Sequence, residues 1–225
     1  MLTLVLDCDG TLHDSLRVYA PGLRRVYARM VADGNAPLRN LSDAEIGSWL
    51  GWSTEDMWTA FAPDLSPELR REYADEVGRY MVWGIENGDA RLYPHVEETL
   101  GLLRDQGRNL VFLSNCRRSY MDAQREAFGF DRFFSGYYCC EAYPGEGKPQ
   151  IFEHIRDDVL AAYPGRTHEF VAVGDRFHDM ELALVHGLRS IGCLYGFAEP
   201  GELDCATACV GDIAEVPAVL EGWGI

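Results

Sequence analysis

Leu2-Thr3-Leu4-Val5-Leu6-Asp7-Cys8-Asp9-Gly10-Thr11 is the stretch that decides the fold. Five residues without a charge lead into two carboxylates and a cluster of turn formers, the pattern of a buried strand that ends abruptly. Further runs follow. Asn109-Leu110-Val111-Phe112-Leu113 ends in Ser114-Asn115, and Glu169-Phe170-Val171-Ala172-Val173 ends in Gly174-Asp175. Arg189 to Leu194 is a fourth run and Ala208-Cys209-Val210 a short fifth. Helical periodicity occupies Pro94–Gln106, Arg118–Phe128, Gln150–Ala162, Phe177–His186 and Ile213–Leu220. Strands that are apolar throughout, alternating with helices, predict an α/β fold whose parallel sheet is covered on both faces.

The interval from Leu16 to Arg91 breaks that alternation. It carries helical periodicity and no strand pattern: Leu16–Val31, Ser42–Trp52, Thr54–Phe61 and Pro67–Ile85, with Ser42, Ser53 and Ser66 as cap or first-turn residues. An all-helical domain inserted after the first strand is the expectation, with residues 16–91 as the insert and residues 1–15 and 92–225 as the sheet-bearing core. Trp49, Trp52, Trp58 and Trp83 fall in the insert, where packing of a small core is their expected use. Arg17, Arg24, Arg25 and Arg29 read as a solvated helix face.

Composition sets outer limits. At 225 residues and 47% hydrophobic content the chain can bury a substantial core without staples. No apolar run reaches membrane-spanning length, and the first residues lack the basic start of a secretory signal. A net charge of −16 disfavours nucleic-acid partners, so the expected partner is a small molecule. The 7 cysteines show no Cys-x-x-Cys and no four-ligand metal set; Cys205 and Cys209 are expected on one helix face. Reduced, buried thiols in a cytoplasmic, monomeric protein are expected. Of the 20 basic residues only Lys148 is a lysine.

Ligands of open α/β sheets bind beyond the carboxyl ends of the strands. That edge collects Asp7, Asp9, Ser114, Asn115 and Asp175, and Lys148-Pro149 opens a helix nearby. Two residues apart on an extended strand, Asp7 and Asp9 share a direction, and like charges so close need a cation or a proton between them. Mg²⁺ suits such oxygen ligands, with Asp175 and Asp179 adding two more carboxylates. One aspartate could then act as a nucleophile and the other as a general acid and base. Ser114 and Asn115, before a helix, suit phosphate oxygens, although alone such a pair is more often a helix cap. Lys148 adds positive charge beside them.

Four stretches together resemble the haloacid dehalogenase-like superfamily. They are Asp7-Cys8-Asp9-Gly10-Thr11, Ser114-Asn115, Lys148-Pro149 and Gly174-Asp175-Arg176-Phe177-His178-Asp179, in the family's order. The helical insert after the first strand is similar to the cap of the phosphoglycolate phosphatase and β-phosphoglucomutase branch. The resemblance implies a Rossmann-like core, with Asp7 as nucleophile and Asp9 as general acid and base. It also implies phosphate held by Gly10, Thr11, Ser114, Asn115 and Lys148. Mg²⁺ would sit on Asp7, the backbone carbonyl of Asp9 and Asp175, with Asp179 in the inner or the second coordination layer.

The expected activity is therefore Mg²⁺-dependent hydrolysis of a small phosphomonoester through an aspartyl-phosphate. Phosphoryl transfer of the β-phosphoglucomutase kind and a non-catalytic binding protein remain the alternatives. A dehalogenase is excluded because Asp9 is present, and a Schiff-base phosphonoacetaldehyde hydrolase because residues 16–91 contain no lysine. Gly47 to Ser53, with two tryptophans, occupies the stretch where that branch places specificity contacts.

Overall fold

The structure, a computed structural model, describes residues 1–225. Six strands form one sheet in the order β3-β2-β1-β4-β5-β6: β1 (Leu2–Leu6), β2 (Asn109–Ser114), β3 (Gly136–Cys139), β4 (Glu169–Gly174), β5 (Arg189–Cys193) and β6 (Ala208–Val210). Every pairing is parallel, and Leu6 lies opposite both Phe112 and Val173. All residues of β1 and β2 are buried, as expected for strands covered on both faces. The sheet grows from β1 in both directions. Its topological switch therefore lies beside β1, and the loop following Leu6 opens there.

Two apolar clusters sandwich the sheet. On one face Leu4, Leu6, Phe112 and Val173 meet Leu100 and Leu103 of α5 (Val96–Asp105) and Leu220 of α9 (Val216–Gly222). On the other, Val5, Val111 and Ala172 meet Ile151, Phe152 and Ile155 of α7 (Lys148–Ala162) and Leu182 of α8 (Phe177–His186). Between β2 and β3 runs α6 (Arg118–Ala127).

The segment between β1 and β2 carries α1 (Leu16–Ala32), α2 (Asp43–Ser48), α3 (Thr54–Phe61) and α4 (Pro67–Glu86), and no strand. These helices bury an apolar cluster of their own, which includes Leu23, Ile46, Trp58 and Tyr73. Ser42, Ser53 and Ser66 each accept the backbone N–H three residues on, capping α2, α3 and α4. The fold is thus α/β, a Rossmann-like parallel sheet carrying an all-helical insert. No helix is long and apolar enough to cross a membrane.

Several expectations need correction. The strand Gly136–Cys139 has no apolar run to announce it; pairing with Val111–Ser114 makes it a strand. The helix expected over Ser42–Trp52 stops at Ser48, and Gly51 (φ +86°) turns the chain away. Cys205 and Cys209 share no helix, because the chain turns at Cys205 and enters β6. All seven cysteines are free, but Cys205 and Cys209 are exposed. The insert's tryptophans divide: Trp58 is buried, whereas Trp52 and Trp83 are exposed.

Candidate active site

Four loops meet at the carboxyl edge of β1, β2 and β4. The turn after β1 is tight: Gly10 has φ +85°, and any Cβ there would run into the Asp175 carboxylate. That close approach requires glycine. Thr11 Oγ1 donates to Asp175 Oδ1 (3.2 Å), and the Phe197 N–H donates to its Oδ2 (2.7 Å). Asp179 lies in the first turn of α8, where it accepts the Arg176 N–H at 3.1 Å.

Lys148 begins α7 and projects into this cluster. Its Nζ donates to Asp7 Oδ1 and to Asp179 Oδ1, each at 2.6 Å. Asp7, Asp175 and Asp179 offer carboxylate oxygens within 4.8 Å of one another, and all three are buried. One lysine thus faces three buried acids, and the shortfall shows in the acidity of Asp7 and Asp175. Burial raises the Asp7 carboxyl well above its ordinary range, Lys148 opposes this, and the charges of Asp179 and Asp175 add to it. Burial, then Asp179, push Asp175 up to about 7, against the pull of the Phe197 amide, Arg176 and Lys148. Burial alone would depress Lys148, but Asp179 and Asp7 outweigh it and keep the ammonium charged. An all-oxygen set with surplus negative charge is the kind of site that holds a hard divalent cation.

The side chain of Asp9 stands apart from that set, contrary to the shared direction expected from an extended strand. The strand ends at Leu6, and the turn aims Asp9 towards α6. There Oδ1 accepts from the Tyr120 hydroxyl and from Gln124 Nε2, both at 3.0 Å. Both groups also lie near Nδ1 of the buried His13, at 3.3 and 3.1 Å. Tyr120 and Gln124 escaped the sequence reading. Their signal was a glutamine one helical turn from a tyrosine on the apolar face of a periodic helix.

Of the expected phosphate ligands, Ser114 is buried at the end of β2 beside this cluster. Asn115 is already engaged: Nδ2 donates to Gly51 O (3.0 Å), and Oδ1 accepts from Cys140 Sγ (2.8 Å). Arg176 is a third residue whose role the sequence concealed. Nε donates to Glu202 (2.8 Å), and Nη1 donates to the carbonyl oxygens of Leu50 and Ser48. Gly51 packs against it so closely that a Cβ would lie 2.6 Å from Arg176 Cγ. The loop after α2 is therefore tied to the strand ends by Asn115 on one side and Arg176 on the other.

Comparison with known proteins shows which family the chain resembles. A model of the haloacid dehalogenase-like hydrolase family matches residues 1–187. A phosphoglycolate phosphatase of Mannheimia succiniciproducens is 28% identical over 205 residues, covering 85% of this chain and 84% of that one. One from Vibrio cholerae is 27% identical over 236 residues, with 96% of each chain covered. The crystal structure of a predicted phosphoglycolate phosphatase from Haemophilus somnus superposes with a TM-score of 0.79 over 97% of both chains, at 24% identity. With most of its length matched by the family model, the chain belongs to the haloacid dehalogenase-like hydrolases.

Proposed function

We propose that this protein is a Mg²⁺-dependent phosphatase that hydrolyses a small-molecule phosphomonoester through an aspartyl-phosphate on Asp7. The observation that carries this proposal is the buried Asp7–Lys148–Asp179 chain with Asp175 against it, at the sheet edge where ligands bind. The donor set fits the cation: Asp7, Asp175 and Asp179 would hold it by carboxylate oxygens and Asp9 by its backbone carbonyl. When bound, the ion offsets the carboxylate charges and stabilises the negative phosphoryl oxygens.

The chain's own residues supply the chemistry. Lys148 fixes Asp7 through Oδ1, leaving the other oxygen to attack phosphorus while the bond to the alcohol oxygen breaks. Asp9 gives its proton to that oxygen, and the alcohol departs. Water then attacks the phosphorus, Asp9 takes up a proton from it, and phosphate leaves Asp7 free again. Tyr120 and Gln124 orient Asp9 for both transfers. Gly10, Thr11 and Ser114 would hold the phosphoryl group, with Asn115 contributing only its backbone because its side chain holds Gly51 and Cys140, and Lys148 adds charge to it.

Residues 16–91 act as a cap over the core formed by residues 1–15 and 92–225. The ties from Asn115 and Arg176 to the Ser48–Gly51 loop support a closed form that excludes bulk water during phosphoryl transfer. Seven free cysteines suit a reducing, cytoplasmic compartment, and a monomer holds every residue invoked here. Phosphate release from a panel of esters tests the proposal, with Mg²⁺ or chelator, for the wild type and Asp7→Asn. Metal-dependent release lost in the variant is expected. No release from any ester by the metal-loaded wild type refutes it.

A further inference from the structure

Beside Asp9 the cap and core enclose a cavity of about 100 Å³ whose walls are mostly apolar. The cap contributes Trp49, Trp52, Met57 and Met81, and the core contributes Cys116 and Tyr120. Asp9 is the only carboxylate in the wall and Arg117 the only cation, and Arg117 is already paired with Asp75. The wall is held in place, because Leu50 O and Gly51 O accept from Arg176 and Asn115. Trp49 and Trp52 meet edge to face, with ring centroids 5.5 Å apart.

Resting on the phosphatase proposal above, we infer that this cavity receives the leaving alcohol, and that the preferred alcohol is uncharged and apolar. Two facts join here. The residue that must protonate the alcohol oxygen lines the cavity, so the carbon attached to that oxygen points into it. The cavity offers that carbon apolar contact and no unpaired cation. A carboxylate on the alcohol, as in 2-phosphoglycolate, would leave water for a wall without a counter-charge. The adjoining cleft that Lys148 lines carries both signs, Arg71 and Arg117 beside Glu55, Asp56, Glu141, Glu146 and Glu181, so the preference rests on the cavity wall itself. A cavity of roughly 150 Å³ holds benzene, so this smaller one suits a branched or cyclic group of about four or five carbons.

The test compares kcat/KM of the Mg²⁺-loaded enzyme for methyl, ethyl, propyl and isobutyl phosphate, 2-phosphoglycolate and acetyl phosphate. Isobutyl phosphate and 2-phosphoglycolate have nearly the same shape and differ in charge. The expected rise is about fourfold per methylene along the series. Isobutyl phosphate is expected to exceed 2-phosphoglycolate by at least about 100-fold. Trp52→Ala is expected to shrink the isobutyl-to-methyl ratio, which does not depend on how much of the variant folds. A flat series, a preference for 2-phosphoglycolate, or a ratio unmoved by Trp52→Ala overturns the inference. Acetyl phosphate separates the two proposals, because its leaving group needs no pocket. Its turnover beside a flat alkyl series sinks only this inference, whereas no turnover of any compound sinks the phosphatase proposal as well.

Discussion

Removing divalent metal should make this protein less stable as pH rises from about 4 to about 7, because of Asp175. Its carboxyl titrates near 7 in the folded chain, against an ordinary value of 3.8, with burial the main cause and Asp179 the next. Below pH 4 the group is protonated whether the chain is folded or not, and it costs nothing. Between 4 and 7 the unfolded chain releases the proton while the folded chain keeps it, so stability falls with pH. Above 7 both states are ionised and the loss is constant. The gap between 3.8 and about 7 corresponds to about 4 kcal/mol. In a chain of this length that lowers Tm by about 8–16 °C.

Urea or thermal unfolding in chelator at pH 4.5 and pH 8 measures it, with Asp175→Asn alongside to remove the contribution of every other acid. An asparagine still offers an oxygen to the Phe197 amide but carries no charge to strand. In chelator at pH 8 the variant should therefore be more stable than the wild type, and near pH 4 the two should converge. Saturating Mg²⁺ should restore the wild type and help the variant far less. If wild type and variant show the same pH slope in chelator, the buried-charge account of this site is wrong.

Removing the Tyr120 hydroxyl leaves Asp9 with Gln124 Nε2 at 3.0 Å and the more distant His13 Nδ1 at 3.4 Å. A hydrogen bond to a charged group is worth about 1.5–3 kcal/mol, so Tyr120→Phe should lower kcat/KM for alkyl phosphates by roughly 10- to 100-fold. It should hardly change kcat/KM for p-nitrophenyl phosphate, whose leaving group needs no proton; equal losses on both would mean general damage. Arg176→Ala should destabilise the fold by about 3 kcal/mol in denaturant unfolding, since it strands a partly buried glutamate and frees the Ser48–Gly51 loop. Burial would raise Glu202, but Arg176 and the amides of Phe177 and Glu199 outweigh it and hold the carboxyl below its usual range. That stabilisation is complete above about pH 4.5 and fades as the pH falls further, and Glu202→Gln should abolish this acid limb.

How much the sequence revealed depended on how local each feature's cause is. The buried strands are written in their own residues, and so are the polar groups that end them. Leu2–Leu6 needs nothing beyond its apolar run to be read as interior, and the parallel topology then carries Asp7, Ser114 and Asp175 to one edge. Gly136–Cys139 is the contrary case. Four residues beginning with glycine, with two half-buried tyrosines, have no strand pattern of their own; the open edge of β2 recruits them. Asp9 failed for a related reason. The spacing rule for an extended strand stops applying where the strand ends, and the Gly10 turn redirects the side chain towards α6.

The two central cations show the same division between rarity and geometry. Lys148 stands out because no other lysine exists, and its environment explains why arginine would not serve. A compact ammonium reaches both Asp7 and Asp179 at 2.6 Å inside a buried cluster, which a bulkier planar guanidinium would overfill. Arg176 is one arginine among nineteen and so attracts no notice in the sequence. Yet its task needs the fork that lysine lacks: one nitrogen holds Glu202 while another reaches the carbonyl oxygens of Leu50 and Ser48. Each cation matches its partners in shape. Exchanging them should therefore fail at both positions even though the net charge is unchanged.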